Sequence, residues 1–180
     1  MKRDTEASLI DRFDKVGNAP EFWRRRAKEL LSSSDALLDL WNAAIECDPP
    51  RPRDALDYDR PAIMLRAMAA ECLLKALAVE RGMILARGGR YVRIPGVRNH
   101  DLLGLAKVLG FDLSAHEVAV LRHLSRFITA GRYPMQQVWS EQTKLRPDGL
   151  VEMLCVGWNP YWDDTWESVL ALLRPSRQAA

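Results

Sequence analysis

The chain of 180 residues has the size and composition of a single globular domain. Hydrophobic residues make up 48% of it and charged residues 28%, and its net charge of +2 is too small to require a polyanionic partner. The charged N-terminus does not resemble a signal peptide, and no segment approaches the ~18 consecutive apolar residues of a membrane span. We therefore expect a cytoplasmic protein that is not bound to a membrane.

The cysteines and histidines do not form a pattern typical of a metal site. Cys47, Cys72 and Cys155 are widely spaced and contain no C-x-x-C pair, so we interpret them as reduced thiols. The histidines are not accompanied by further ligands at a suitable spacing. No metal and no cofactor are expected.

The chain begins with a polar arm, residues 1–19, which is predicted to hold one short helix ending near Gly17. Residues 20–175 form the predicted helical domain, and residues 176–180 a disordered tail. Pro20 suits the first turn of a helix, because that position needs no backbone donor. The helix after it has an apolar stripe at steps of three and four residues. This stripe consists of Leu30, Leu31, Ser34, Leu37, Leu38, Trp41 and Ile45.

Three prolines between residues 49 and 52 are predicted to end this helix, because each lacks a backbone donor. The chain up to Arg60 is then expected to be a loop. The next helix is predicted from Pro61 to about Arg81 and is closed by Gly82. Its sequence is apolar almost all round, which is typical of a buried, central helix.

Residues 82–98 interrupt the helical pattern with glycines and a proline. Ile84-Leu85 and Tyr91-Val92 are predicted to pair there as a short hairpin. A short helix is predicted next, with Asn99 as its N-cap and Gly110 as its end.

The last part of the chain is predicted to contain two helices and a β flap. Ser114 and Glu117 have the spacing of a capping box, which opens a helix that ends near Gly131. The apolar stripe predicted on one side of this helix consists of Val118, Leu121, Leu124, Phe127 and Ile128. In the flap, Leu150–Val156 pairs with Met135–Trp139. The final helix runs from about Asn159-Pro160 to Pro175. The sequence thus predicts an all-α antiparallel bundle of about five helices, with a small β-hairpin or flap inserted.

Two pairs of residues are candidates for a functional site. Glu71 and Lys75 lie one turn apart on the apolar central helix and form either a partly buried ion pair or a charged couple lining a pocket. His100 and Asp101 precede the short helix. Either Asp101 interacts with the helix dipole while His100 packs nearby, or His100 contacts a ligand.

Arginines supply a third set of candidates. Four of them lie between residues 82 and 98 without any acidic residue, interleaved with glycines and Tyr91, which is either a solvated loop or a phosphate-binding one. Further along the chain, Arg126, Arg132 and Tyr133 extend the positive charge. The four arginines of the loop are Arg87, Arg90, Arg93 and Arg98. The motifs of serine hydrolases and of P-loop enzymes are absent from the sequence.

Three segments, AAECLLKALAVERG, HDLLGLAKVLG and LSRFITAGRYP, resemble the HEPN domains (higher eukaryotes and prokaryotes nucleotide-binding). The resemblance implies a small, often dimeric helical bundle, frequently encoded beside a minimal nucleotidyltransferase in bacterial toxin–antitoxin or defence systems. It points to a nucleotide- or RNA-binding site. The residues at matching positions are Glu71, Lys75, His100, Asp101, Arg126, Arg132 and Tyr133, to which the basic loop adds Arg93.

Many HEPN domains are metal-independent ribonucleases with an R-x(4–6)-H motif on a late helix, and the corresponding helix here lacks that motif. Arg93 and His100 have a fitting spacing, but Ile94-Pro95-Gly96 lies between them. The resemblance therefore implies a non-nuclease, accessory binding domain. Two alternatives stay open. One is a ribonuclease that uses Arg93 with His100, or His123 with Arg126, and the other is a protein-interaction subunit in which tryptophans form the interface. Those tryptophans are Trp23, Trp139 and Trp158.

Overall fold

The computed structural model describes residues 5–47, 49–50, 52–130, 143–145, 151–153 and 163–174. In this part of the chain the protein is all-α, with the five bundle helices, the arm helix and two small antiparallel strand pairs. The helices are α1 (Glu6–Gly17), α2 (Pro20–Glu46), α3 (Pro52–Glu80), α4 (Leu102–Val108), α5 (Ala115–Ala130) and α6 (Asp163–Leu173). The strands are β1 (Ala86–Arg87), β2 (Arg90–Tyr91), β3 (Thr143–Leu145) and β4 (Val151–Met153).

Helices α1 and α2 begin where local chemistry favours a helix start. Thr5 caps α1, since its side chain accepts a hydrogen bond from the Ser8 amide at 3.3 Å. Pro20 occupies the first turn of α2, as predicted. Ser34 of α2 is fully buried against α3 and donates to the carbonyl oxygen of Ala62 at 3.0 Å.

The start of α3 corrects the prediction of a loop up to Arg60. The helix begins at Pro52 and continues through Pro61. Pro52 lies in the first turn, where a missing donor costs little. Beyond Pro61, Ala62 and Ile63 are buried, and this packing favours a continuous helix despite the hydrogen bond that the proline cannot donate. The helix closes as predicted at Gly82, whose φ of +83° suits glycine.

The core lies between α3, α4, α5 and α6. Helix α3 is central, as its apolar sequence predicted, with Leu74 fully buried. The predicted stripe of α5 also faces the core, where Leu124 and Ile128 are fully buried. The other helices of the core contribute the buried side chains of Leu102, Leu105, Trp166, Val169 and Leu173.

The caps of α4 and α5 test two predictions. The N-cap of α4 is Asp101, not Asn99, because the Asp101 carboxylate accepts a hydrogen bond from the Gly104 amide at 2.8 Å. The capping box of α5 is confirmed. The Ser114 amide donates to Glu117 at 2.8 Å, and the Glu117 amide donates to the Ser114 hydroxyl at 3.2 Å.

The predicted hairpin after α3 is present. Ala86 pairs with Tyr91, and Val92 donates to the carbonyl oxygen of Leu85 at 2.8 Å. The turn is made by Gly88 and Gly89, whose φ values of +62° and +73° fit a two-residue hairpin turn.

A second strand pair lies in the region of the predicted flap, where β4 pairs with β3. The predicted partner, Met135–Trp139, lies outside the described residues. So do Cys155, the predicted helix limits at Gly131, Asn159-Pro160 and Pro175, and the tail 176–180. None of the helices that the structure describes has the combined length and apolarity needed to cross a membrane.

Candidate ligand-binding pocket

Glu71 and Lys75 form an ion pair on α3, beside the buried core. The Lys75 Nζ lies 2.8 Å from Glu71 Oε1, and the two side chains are only 17% and 13% exposed, respectively. The other carboxylate oxygen of Glu71 lies 3.0 Å from His100 Nδ1. One partly buried carboxylate therefore joins a lysine on its own helix to a histidine from the segment before α4.

The surroundings of this pair favour its charged form. Burial would raise the pKa of Glu71, but Lys75 and His100 together hold it below its usual range. Burial would likewise lower the pKa of Lys75, but Glu71 raises it above its usual range. Both groups are therefore ionised at neutral pH. Their neighbour Cys72 has a pKa raised to about 11 by burial, so it is a thiol and not a nucleophilic thiolate at neutral pH.

Two aromatic rings flank the Lys75 ammonium group. Its Nζ lies 5.1 Å from the ring centroid of Trp23 and 5.1 Å from that of Tyr91, within the range of cation–π attraction. Trp23 is itself fixed by a hydrogen bond from its Nε1 to the carbonyl oxygen of Gly17 at 2.9 Å. Lys75 is thus held by one carboxylate and two rings.

His100 has a backbone conformation that few residues other than glycine adopt. Its φ is +62°, and among the described residues it is the one non-glycine residue with a positive φ. This conformation costs roughly 1 kcal/mol or more, and such strain is found most often at functional sites. In this backbone conformation two adjacent side chains make different contacts. His100 contacts Glu71, and Asp101 caps α4.

A half-open pocket of about 220 Å³ lies between α3, the segment after β2, and the start of α4, and its lining includes Glu71, Lys75, Tyr91 and His100. Arg93 and Arg98 are exposed at its edge, and neither forms an ion pair with another described residue. The full lining is Glu71, Lys75, Tyr91, Arg93, Ile94, Val97, Arg98, Asn99, His100, Asp101, Leu102 and Leu105.

The pocket brings together most of the residues predicted from sequence. Glu71, Lys75, Arg93, His100 and Asp101 all line it. The other predicted site residues do not join them in the described part of the chain. Arg126 is exposed on α5 and is not part of the lining, and Arg132 and Tyr133 lie outside the described residues.

Sequence reasoning missed the role of two aromatic residues. Tyr91 stood out only as the aromatic residue of the basic loop, and Trp23 only as an interface candidate. No local pattern connects Trp23 to Lys75, because the two residues belong to different helices that meet only in the folded bundle. The proximity of Tyr91 to the central helix follows from the hairpin, which returns the chain to α3.

His123 belongs to the core and not to this pocket. Its side chain is buried, its ring centroid lies 4.8 Å from that of Phe127, and burial together with Arg126 lowers its pKa to about 4. It is neutral at physiological pH. Because its side chain is buried and its lowered pKa makes it a weak proton acceptor, His123 is poorly suited to be the general base of a nuclease centre built with Arg126.

A second groove, of about 530 Å³, lies between α2, α3 and α6 and has the opposite charge. Arg66 lies within it, 3.4 Å from Asp163 and over the ring of Trp166 at 5.8 Å. The carboxylates that line it are Asp35, Asp39, Asp59, Asp163 and Glu167. An anionic ligand would be repelled there, which leaves the arginine-edged pocket as its candidate site. No three His, Cys, Asp or Glu side chains of the described residues are arranged to hold a metal ion.

Comparisons with known proteins add no further identification. No protein-family model matches the chain, and no curated protein and no solved structure matches it.

Proposed function

We propose that this protein is a HEPN-like accessory domain whose arginine-edged pocket binds a nucleotide, either free or as one unit of a single-stranded RNA. The observation that carries the proposal is the placement of Arg93 and Arg98, which form no ion pair with another described residue, at the edge of a pocket that also contains Tyr91. These are the groups that contact a phosphate and a base.

The arginines suit a phosphate because their charge is available. A guanidinium group already bound to a carboxylate would have to give up that partner before it could bind phosphate. Arg93 and Arg98 have no such partner among the described residues, whereas the negative charge of Glu71 is balanced by Lys75. A planar guanidinium group can then donate two parallel hydrogen bonds to phosphate oxygens.

Tyr91 and the shape of the pocket support a single base or sugar as the second point of contact. The Tyr91 side chain is 47% exposed, and an exposed ring can stack on a base. Ile94, Val97 and Leu105 supply apolar lining beside it. At about 220 Å³ the pocket is smaller than the ~300–1,000 Å³ usual for small-molecule sites, so it accommodates part of one nucleotide and not a duplex.

The proposal is tested by titrating the protein with the four ribonucleoside monophosphates, inorganic phosphate and a short single-stranded RNA while recording the melting temperature. A ligand at ~100 times its dissociation constant adds about 2.7 kcal/mol of stability. Wild-type protein should be stabilised by at least one nucleotide or by the RNA. The double variant Arg93→Ala/Arg98→Ala should lose most of that stabilisation.

The matched control is Arg87→Ala/Arg90→Ala, which removes the same charge from the same loop at two exposed positions that do not line the pocket. If both double variants lose binding equally, the arginines act only through the general charge of the loop and the pocket is not the site. If no ligand stabilises the wild-type protein, the nucleotide-binding proposal is wrong.

A second candidate function, metal-independent cleavage of RNA, is favoured by the presence of Arg93 and His100 in one pocket. Glu71 engages His100 Nδ1, which leaves Nε2 for proton transfer. In this reaction a base removes the proton of a 2′-hydroxyl, whose oxygen attacks the adjacent phosphorus. The 5′-oxygen leaves with a proton, and a 2′,3′-cyclic phosphate forms.

Ribonuclease activity can be tested separately from nucleotide binding. Wild-type protein with excess EDTA should cut a single-stranded RNA to products with cyclic phosphate ends, and His100→Gln should not. An RNA with one 2′-deoxy position is the matched control, because it should resist cleavage at that position alone. Intact RNA after long incubation with concentrated wild-type protein would leave binding as the function.

The resemblance also supports a protein partner. We propose, on that ground alone, a homodimer and a minimal nucleotidyltransferase as partners of this accessory domain. Of the tryptophans predicted for an interface, Trp23 packs beside Lys75, and Trp139 and Trp158 lie outside the described residues.

A further inference from the structure

The end of the N-terminal arm is hydrogen-bonded to the hairpin that carries one wall of the pocket. The Asp14 carboxylate accepts hydrogen bonds from the amides of Gly88 at 2.6 Å and Gly89 at 2.9 Å, both in the hairpin turn. A single acidic side chain thus binds the two backbone amides at the tip of the hairpin.

Asn18 binds the first strand of the same hairpin. Its Oδ1 accepts hydrogen bonds from the amides of Leu85 at 2.8 Å and Ala86 at 3.1 Å, and its Nδ2 donates to the carbonyl oxygen of Ala86 at 2.7 Å. The Asn18 side chain therefore forms hydrogen bonds with the backbone of this strand as a neighbouring strand would. Ala86 is paired across the hairpin with Tyr91, which lines the pocket.

Gly17 contacts both Trp23 of α2 and Ala86 of the hairpin. Its carbonyl oxygen accepts the hydrogen bond from Trp23, which packs on Lys75. Its Cα faces Ala86 so closely that a Cβ at this position would overlap the Cβ of Ala86. Glycine is required here for close approach, since its φ is not in the left-handed range.

The arm is attached mainly by these polar contacts. No residue of α1 is fully buried, and Leu9 and Phe13 are 52% and 47% exposed. A segment with few buried apolar contacts can detach from a protein without unfolding its core. Detachment of α1 would release both the hairpin beneath Tyr91 and the carbonyl oxygen that holds Trp23.

We propose that Asp14, Gly17 and Asn18 are positioning residues of the nucleotide pocket, and that docking of the arm and binding of the ligand stabilise each other. This inference rests on the proposed function, since it concerns the same pocket. None of Asp14, Gly17 and Asn18 is part of the lining of the pocket. The arm holds Tyr91, and the Trp23 ring beside Lys75, in the arrangement that binds.

Linkage makes the coupling reciprocal. If arm docking raises the affinity for the ligand, the ligand must favour arm docking by the same factor. Bound ligand should therefore slow hydrogen exchange at the amides of Gly88 and Gly89, which donate to Asp14. Amides in α5, which packs against α3, α4 and α6, should not be protected beyond the gain in global stability.

The experiment uses Gly17→Ala, which brings a Cβ against Ala86, and Ala86→Gly, which removes the Cβ that it would meet. The ligand is the nucleotide or RNA that stabilises wild-type protein most. Gly17→Ala should weaken its binding by about tenfold, within the 5–150-fold range usual for coupled sites. The double variant Gly17→Ala/Ala86→Gly should bind more tightly than Gly17→Ala, because the overlap is gone.

Two further variants keep this test decisive. Leu9→Ala, on the exposed face of the same helix, should bind as wild type does. Asn18→Ala should weaken binding as Gly17→Ala does and should change the melting temperature of the unliganded protein by less than core variants do. These results would show that the arm acts on the pocket and not on folding as a whole.

Unchanged affinity in both Gly17→Ala and Asn18→Ala would overturn the inference while the proposed function stands. A wild-type protein that binds none of the ligands would overturn both. In that case hydrogen exchange of the unliganded Gly17→Ala variant still reports whether the arm holds the hairpin, so the two failures are distinguished.

Discussion

Helices α3 and α5 are joined by buried side chains, whereas α1 is joined to the hairpin mainly by hydrogen bonds and has no fully buried residue. Both contacts bring together segments that are far apart in the sequence. They differ in how much they contribute to the free energy of folding. Buried apolar area contributes most of the free energy of folding, while exposed or half-exposed hydrogen bonds contribute about 1 kcal/mol each.

This difference separates stability from binding in the same small protein. Changes in the core between α3 and α5 should lower the free energy of unfolding. Changes in the contact between the arm and the hairpin should alter the pocket at little cost in global stability. The following substitutions compare the two regions, beginning with the largest expected effect.

The largest effect is expected from truncating a leucine in the core. Leu124→Ala removes a fully buried side chain from α5 and should lower the free energy of unfolding by about 3–4 kcal/mol, through lost burial and the cavity left behind. Leu9→Ala makes the same chemical change in the arm, where the side chain is 52% exposed. It should cost less than about 0.5 kcal/mol in urea unfolding. Equal losses would mean that α1 belongs to the core.

A pH-dependent effect of similar size is expected at His123. Its pKa is lowered to about 4 in the folded protein, chiefly by burial, and returns to about 6.5 on unfolding. Between pH 4 and pH 6.5, His123 is therefore mostly protonated in the unfolded chain and mostly neutral in the folded protein. The stability that this group contributes is complete above pH 6.5 and is lost as the pH falls towards 4, by at most about 3 kcal/mol.

Chemical denaturation of wild type and His123→Gln at several pH values measures this contribution. The variant should be less stable than wild type at pH 7, and the gap should narrow or reverse at pH 4.5. His116→Gln removes an exposed imidazole from the same helix and is the matched control. A gap between wild type and His123→Gln that does not vary with pH would contradict the expectation.

A smaller effect is expected at the pocket itself. Glu71→Ala leaves Lys75 and His100 without their shared carboxylate and should cost about 2 kcal/mol, less than the 3–5 kcal/mol of a fully buried pair. Glu80→Ala breaks the more exposed pair with Arg24 at the end of the same helix and should cost at most about 1 kcal/mol. Thermal or urea unfolding of both variants gives the comparison. An equal cost would show that the partial burial of Glu71 does not strengthen its pair.

The sequence predicted the helices of the core well because their apolar spacing is a local property. The stripe of α5 and the all-round apolar character of α3 followed from residue order alone, and burial confirms both. The start of α3 did not follow. The local preference of Pro61 against a helix interior competes with packing of Ala62 and Ile63, and only the folded protein shows which prevails.

The candidate site was predictable to the extent that its contacts are local. The pair of Glu71 and Lys75 lies one helical turn apart, and spacing alone predicted it. The contact of Glu71 with His100 depends on a left-handed residue before α4, which a His-Asp sequence does not indicate. The contact of Trp23 with Lys75 depends on how α2 packs along α3. The hydrogen bonds of Asn18 to the hairpin depend on where the arm ends.

The smallest effects compare two helix caps of the same chemistry. Ser114 caps α5 reciprocally with Glu117, whose other carboxylate oxygen accepts a hydrogen bond from Ser168 of α6 at 2.6 Å. Ser114→Ala should therefore lower the free energy of global unfolding by about 1 kcal/mol. Thr5→Ala removes the corresponding hydrogen bond from Ser8 in α1, which is exposed and 3.3 Å long.

The loss at Thr5 should appear only as faster hydrogen exchange in the first turn of α1, with a change in global stability under about 0.3 kcal/mol, because α1 can fray or detach before the core unfolds. Measuring both variants by urea unfolding and by hydrogen exchange separates the two regions most finely. If Thr5→Ala lowers global stability as much as Ser114→Ala, the arm unfolds together with the bundle. Arm docking could then not vary independently of folding, and the coupling between arm and pocket would have to act through global stability instead.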